Sequence, residues 1–321
     1  MNREKKKYRI NINLIFAIVL LVIIGICIWR LIEWNRRSVE VDTDVAYEDF
    51  ATECLDYYSY PESPKERPEG WKEHILVVGN LMVDNRGEEH SILNIMREKL
   101  DAEIIPVVAR NTKVSCYNEI DETTNATDAF SLYYTIRSLC TKDFSMQYYF
   151  APSNGSSASA FGTVEEQNKY IDTISAVNMD DIDTLIIMYS LQDYYAQIHP
   201  VYEGAVETRI TSYYGALCSS INMLQEYYPH INIILCSPTP EYILRDGEIE
   251  TCFMTDYGNG NASAYINLLG LISMNKFISY IDNYYYGITE DNIEKYVNEL
   301  DLNDLGIDLI GNHIVDYLSK R

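Results

Sequence analysis

The sequence predicts an α/β domain in three layers, helix–sheet–helix, around a mainly parallel sheet of roughly five strands. Three observations point there. Short apolar runs alternate with stretches of helical periodicity over most of the chain. Two of the runs, Thr184–Met188 and Ile231–Cys236, read as strands buried within such a sheet. The stretch from His74 to Gly79 ends in glycine and a polar turn before a helical pattern resumes. That is how a first strand delivers a loop to the carboxyl edge of an α/β sheet, where such folds keep their chemistry.

In chain order, residues 1–9 form a basic leader, followed by a nearly unbroken apolar run from Ile10 to Ile32. At about 1.5 Å per residue, this run can cross a hydrocarbon core of roughly 30 Å. No Ala-x-Ala-like cleavage site follows, and Ile26 stands where a lipidation signal at Cys27 needs a small residue. A transmembrane signal anchor over residues 10–32 is therefore expected, rather than a cleaved signal peptide. Five basic residues precede the span, and Arg30, Arg36 and Arg37 follow its apolar core. The bias favours a single-pass protein of the cell membrane with its C-terminal domain outside the cytoplasm. Residues 33–70 read as an acidic stalk, extended by Pro61, Pro64 and Pro68. The domain is expected over residues 71–321.

Residues 1–37 hold eight bases and two acids, which leaves 17 basic against 46 acidic residues, about −29 in formal charge. Nucleic acid and anionic lipid would repel such a domain, so nucleic-acid binding is excluded. Six cysteines lie beyond the anchor and form neither a Cys-x-x-Cys pair nor a Cys/His ligand cluster. They read as small buried hydrophobes, with a disulfide of unnamed pairing as the alternative.

Within the domain, Ile75–Val78 is the first expected strand and Ser91–Leu100 the first helix. Glu103–Val108 is the second strand. Asp128–Cys140 carries Phe130, Leu132, Tyr133, Ile136 and Leu139 at helical spacing. A Gly/Ser-rich loop at 153–157 precedes a helix near Val164–Val177. The helix between the two buried strands runs about Thr208–Tyr228, and Phe277–Ile281 supplies a fifth strand. The chain closes on Asn303–Leu318, a helix with Leu305, Leu309, Ile310, Ile314, Val315 and Leu318 on one face.

The sequence contains no phosphate-binding Gly-x-x-x-x-Gly-Lys-Ser/Thr loop, no His-Glu-x-x-His and no Gly-x-Ser-x-Gly elbow. None of the five histidines has an evident nucleophile partner, so each reads as structural or solvated. Asp180, Asp181 and Asp183 read as a solvated cap before a strand. No metal and no cofactor is implied.

Four segments nevertheless resemble, in order and spacing, the four blocks of the SGNH (GDSL-type) hydrolases. They are Val77–Asn85, Ile105–Thr112, Ile186–Tyr194 and Asn298–Gly306. The resemblance covers the chain from about Trp71 onward and implies a flavodoxin-like sheet carrying esterase chemistry. Backbone-determining residues match: Gly79, Asp84, Asn85, Asp193, Asn303 and Gly306. The chemical positions do not. Leu81 stands for the nucleophilic Ser, with Asn80 before it. Arg110 stands for the oxyanion Gly, and Ser190 and Gln192 for the Gly and oxyanion Asn of the third block. Asn298 stands for the acid and Asp301 for the His.

The family's chemistry needs a hydroxyl to attack, an imidazole to take its proton and N–H donors for the oxyanion. Leu81 has no nucleophilic atom. Asp301 is a weak base, and Gln192 carries its amide one methylene further out. Taken together, these substitutions imply a pseudoenzyme that binds a surface glycan or a partner protein. The alternative is an active esterase or deacetylase on cell-surface carbohydrate, with Ser190 or Ser115 as nucleophile. Arg110 and Asp301 face one pocket in such a fold; separate exposure to solvent is the first expectation, and an ion pair plugging the pocket is the alternative. Asn80, Leu81, Arg110, Asn111, Ser190, Gln192, Asp193, Tyr194, Tyr195 and Asp301 are the candidate binding residues. Tyr194 and Tyr195 are expected at the pocket rim, among 28 tyrosines that otherwise read as compositional bias and packing.

Overall fold

Successive residues of the central strands point to opposite faces, and each face carries its own apolar core. A computed structural model describes residues 55–61, 63–80, 90–109, 111–119, 125–151, 163–202 and 204–320, with Gly25 standing alone before them. In chain order the described elements begin with β1 (Glu73–Gly79), α1 (Ile92–Lys99), β2 (Ala102–Val108), α2 (Leu132–Thr141), α3 (Ser145–Phe150) and α4 (Val164–Ala176). Next come β3 (Thr184–Met188), α5 (Gln192–Tyr195), α6 (Tyr213–Tyr227), β4 (Asn232–Cys236), β5 (Tyr242–Arg245) and β6 (Glu248–Thr251). The last are α7 (Ala262–Lys276), β7 (Ser279–Ile281), α8 (Ile293–Tyr296), β8 (Val297–Asn298), β9 (Asp301–Leu302) and α9 (Asp304–Leu318).

Five strands form one parallel sheet in the order β2-β1-β3-β4-β7. Leu76, Val78, Leu185, Ile187, Ile233 and Leu235 pack on α2, α4, α6 and α7. Ile75, Val77, Ile186, Ile234 and Cys236 pack on α1 and α9 across the sheet. The result is the expected three-layer α/β/α arrangement. Each such side chain, fully buried, contributes about 1.5–3 kcal/mol, which makes these two layers the main support of the sheet.

Helix boundaries follow the caps. Ser131 accepts the N–H of Tyr134 and starts α2 there, leaving Asp128–Phe130 as a separate 3₁₀ turn. Ser212 accepts the N–H of Gly215 at 3.0 Å, so α6 begins at Tyr213 rather than near Thr208. Asn303 caps α9 by accepting from Leu305 and Gly306.

Two stretches differ from the sequence reading. Chain expected in the stalk is docked: Tyr57 exchanges two backbone hydrogen bonds with Tyr280 on the outer edge of β7. Asp183 is a hub rather than a solvated cap. Its carboxylate accepts from Arg67 Nε at 2.6 Å, Trp71 Nε1 at 2.8 Å and the His74 N–H at 2.9 Å. These bonds fasten the entry into β1.

The expected leader and anchor, apart from Gly25, lie outside the described residues, as do Leu81 and Arg110. Among the described residues no helix is long and apolar enough to cross a membrane. Cys116, Cys140, Cys218, Cys236 and Cys252 are buried free thiols.

Candidate functional site

Strand order reverses between β1 and β3, and the crevice at their carboxyl ends is where an open α/β sheet holds ligands. Asn80, the residue after β1, is buried there and turned toward the next loop. Its Nδ2 donates to Ser190 Oγ at 2.8 Å and to the Thr112 carbonyl at 3.3 Å. Its Oδ1 accepts the Ser190 backbone N–H at 3.0 Å. One side chain therefore ties together the loops after β1, β2 and β3. Asn111 sits on the second of these loops, exposed, with φ 54°, a left-handed conformation that Asn tolerates.

Asp193 is buried, and its carboxylate faces the loop after β2, not a ligand. It accepts the N–H of Val114 at 2.8 Å, the N–H of Ser115 at 3.1 Å and the Ser115 hydroxyl. Burial pushes this carboxyl up, while Lys113, the Ser115 hydroxyl and the two N–H groups pull it back. Lys113 is buried as well, with Nζ over the Tyr117 ring at 3.5 Å from its centroid. Asp193 thus leaves the set of expected binding residues and becomes a clamp. Ser115 goes with it: its hydroxyl is committed to Asp193 and fully buried. Gln192 opens α5 and is half-buried.

Tyr194 is core rather than rim. It is fully buried, its hydroxyl donates to the Thr255 carbonyl at 2.7 Å, and its ring lies against Tyr257 and Tyr265. The apolar walls of α7 and the loop before it hold the ring in the core. Tyr195 is half-buried, and its hydroxyl is buried without a hydrogen-bond partner. Of the tyrosines that stand next to another in sequence, Tyr133, Tyr134, Tyr213 and Tyr284 are buried, and Tyr148, Tyr149 and Tyr227 are exposed.

The last block forms a tight hairpin. Asn298 pairs with Asp301 across it, and Glu299 takes φ 57° at the turn. Asn298 is exposed and Asp301 half-buried. The Tyr242 N–H donates to the Glu299 carbonyl at 3.1 Å, which fixes the hairpin to the start of β5. Beside it lies a residue that sequence reasoning missed. Glu241 is buried and accepts the Leu191 N–H at 3.3 Å. Its carboxyl is pushed up to about 8 by burial and by the charge of Asp301, against the pull of the Leu191 N–H. A glutamate in a Pro-Thr-Pro-Glu loop reads as solvated, and nothing in the sequence marked it otherwise. The expected Arg110–Asp301 pair falls outside the described residues.

Each histidine has a partner of its own. His74 is paired with Glu103 at 3.3 Å, His90 with Asp308 at 3.3 Å and His313 with Asp56 at 3.1 Å. His199 packs on Tyr202, and His230 on Tyr228. Among the described residues no group of three or more His, Cys, Asp or Glu could hold a metal ion.

No family model matches the chain, and no curated protein matches it. Solved structures do. A protein from Lactobacillus plantarum is similar with a TM-score of 0.52 at 14% identity, over 78% of this chain and 98% of its own. A possible lipase from Chitinophaga pinensis has a TM-score of 0.48 at 10% identity, over 77% and 98%. A carbohydrate acetylesterase from Sinorhizobium meliloti has a TM-score of 0.45 at 15% identity, over 78% and 99%. Likeness at this identity speaks for the fold alone. Around a five-stranded parallel sheet, with Asn80, Thr112 and Ser190 brought together beyond its carboxyl edge, the chain shares a three-layer α/β/α fold with the Lactobacillus plantarum protein.

Proposed function

We propose that the chain is a non-hydrolytic protein of SGNH/GDSL-type fold, anchored in the cell membrane. Its domain lies outside the cytoplasm and uses the carboxyl edge of the sheet to bind a surface glycan or a partner protein. The observation that carries this reading is the residue at the imidazole position. Asp301 stands there in place of an imidazole, and the carboxyl of Glu241, whose raised pKa reflects the charge of Asp301, is buried and held by the Leu191 N–H, so it has no path to a substrate. Leu81 offers no attacking atom. Loss of the Ser–His pair removes orders of magnitude of rate in any enzyme that depends on it. The two substitute nucleophiles fare no better: Ser115 is fully buried on Asp193, and Ser190 is held by Asn80.

The test is an ester-hydrolysis screen of the purified full-length protein with short-chain p-nitrophenyl esters and acetylated sugars, beside a Leu81→Ser/Asp301→His variant. Background turnover by the wild type is expected. Robust wild-type turnover that disappears on Ser190→Ala or Ser115→Ala would overturn the proposal in favour of an esterase. A glycan array then separates the two ligand classes: no bound glycan leaves the partner-protein form of the reading.

A further inference from the structure

β7 is an edge strand, and an uncovered edge is a template for another chain. Here the outer side of β7 is covered by Leu55–Pro61. Tyr57 N–H donates to the Tyr280 carbonyl at 3.0 Å, and Tyr280 N–H donates back at 2.8 Å. Ser59 Oγ donates to the Phe277 carbonyl at 2.6 Å. Tyr58 stacks on Tyr317 with centroids 4.1 Å apart, and the Tyr317 hydroxyl donates to the Tyr57 carbonyl at 2.6 Å. The covering is a strap added to the sheet in cis.

At the carboxyl end of β7 the strap ends on charge. Asp56 Oδ1 accepts the Asp282 N–H at 3.1 Å, and Asp56 Oδ2 lies 3.1 Å from His313 Nε2. The other ring nitrogen, Nδ1, lies 3.2 Å from Asn283 Oδ1. Asn283 is oriented by its own Nδ2, which donates to the Ser237 carbonyl at 3.2 Å. Both nitrogens of His313 therefore face acceptor oxygens. A neutral imidazole has one N–H, and only the protonated ring donates to both. The Tyr286 ring lies flat on His313, 3.6 Å between centroids and 3° between planes, a face that favours a cation. The imidazole is 5% exposed, so water offers little substitute for a lost partner.

We infer that His313 and Asp56 form a proton-operated latch that holds the strap on β7. The protonated ring grips Asp56 and Asn283 together. Loss of its proton removes one donor and the ion pair, and the Leu55–Ser59 part of the strap lifts, baring the β7 edge. Besides Asp56, the Tyr286 phenol lies on the ring, and around Asp56 stand Asp282 after β7, Tyr317 on α9 with Tyr58 of the strap stacked on it, and Cys236 at the end of β4. Burial pushes Asp282, Tyr317 and Cys236 up, which keeps the phenol and the thiol neutral as the imidazole changes state. The latch is closed while the ring carries both protons and opens when it carries one.

The test is hydrogen–deuterium exchange of the full-length protein at pH 5.5 and 8.5, with protection of the Tyr57 and Tyr280 amides corrected for intrinsic rates. Wild-type protection is expected to fall by about tenfold or more between the two pH values, the scale of one hydrogen bond to a charged group. His313→Gln and Asp56→Asn should show weaker protection that does not change with pH. Flat wild-type protection, or the same pH dependence in both variants, overturns the latch. If either variant fails to fold, ¹⁵N spectra of histidine-labelled wild type decide. Both ring nitrogens of His313 should carry protons at pH 5.5, and a singly protonated ring there overturns it.

Discussion

Asn80 and Ser190 hold one another reciprocally, the Asn80 amide donating to Ser190 Oγ at 2.8 Å and accepting the Ser190 N–H at 3.0 Å. The pair joins the ends of β1 and β3 at the switch point of the sheet. It also explains why an amide suits this position here: the second N–H of Asn80 faces the Thr112 carbonyl, which a carboxylate would repel. Asn80→Ala is expected to cost about 1–3 kcal/mol in urea denaturation, because it strands buried groups on two loops. Asn80→Asp should cost at least as much at pH 7, since it sets a buried charge against a carbonyl. A change below about 0.5 kcal/mol for both would be that of an ordinary surface position and would contradict this account.

Asp193 makes the larger claim on stability. Asp193→Ala strips the N–H groups of Val114 and Ser115 of their acceptor and removes an anion that offsets the charge of the buried Lys113. A loss of about 3–5 kcal/mol is expected. Asp193→Asn keeps one acceptor oxygen and should lose about 1.5–3 kcal/mol. Combining Asp193→Ala with Ser115→Ala should cost less than the sum of the single changes, because the two side chains share one bond. Additive losses in the denaturation series would show that the clamp is not a unit.

The sheet was legible because parallel strands must be apolar on both faces, and Thr184–Met188 was read to the residue. The helix Ala262–Lys276 was not, since it is apolar nearly all round: Leu269 and Ile272 are buried while Leu271 and Met274 are exposed. No polar stripe gives such a helix a period. The β5–β6 hairpin carried a usable sign, Asp246-Gly247 between two short runs, and both residues do take positive φ. At the site, positions set by backbone geometry were readable, among them the Asn303 cap. The inward turn of Asp193 and Tyr194 was not, because a polar or aromatic residue after a strand reads the same whether its loop folds outward or back. Glu241 shows that limit most clearly, as the groups that meet its carboxyl, the Leu191 N–H and Asp301, are both distant in sequence.

Gly306 and Gly311 lie five residues apart on α9 and should differ sharply on substitution. A Cβ on Gly306 would stand 2.2 Å from the Tyr296 carbonyl oxygen, which is backbone and held by the Asn303 N–H. A Cβ on Gly311 would meet Ile95 Cδ1 at 2.7 Å, the far end of a side chain that can rotate. Gly306→Ala is expected to cost about 3 kcal/mol and to shift the hairpin bearing Asp301. Gly311→Ala should cost about 1 kcal/mol. Equal losses in thermal denaturation would mean that the chain from Tyr296 to Asn303 yields more easily than its hydrogen bonds imply.

Glu241 gives the site a pH dependence whose sign can be worked out. Its carboxyl, ordinarily near 4.5, is pushed up to about 8 in the folded protein, chiefly by burial. Between those values the folded chain keeps a proton that the unfolded chain has released. Its contribution is thus fully present below about pH 4.5, declines through the interval and is lost above about pH 8. Glu241→Gln preserves an acceptor for the Leu191 N–H and cannot ionise. The stability of wild type minus that of Glu241→Gln should therefore fall with rising pH, by at most about 1.4 kcal/mol per unit, and level off near pH 8. Urea denaturation of both proteins at pH 5, 6.5, 8 and 9 measures it. Parallel curves would show that Glu241 is ionised throughout, and a carboxylate beside Asp301 would then need a cation from the loops around it.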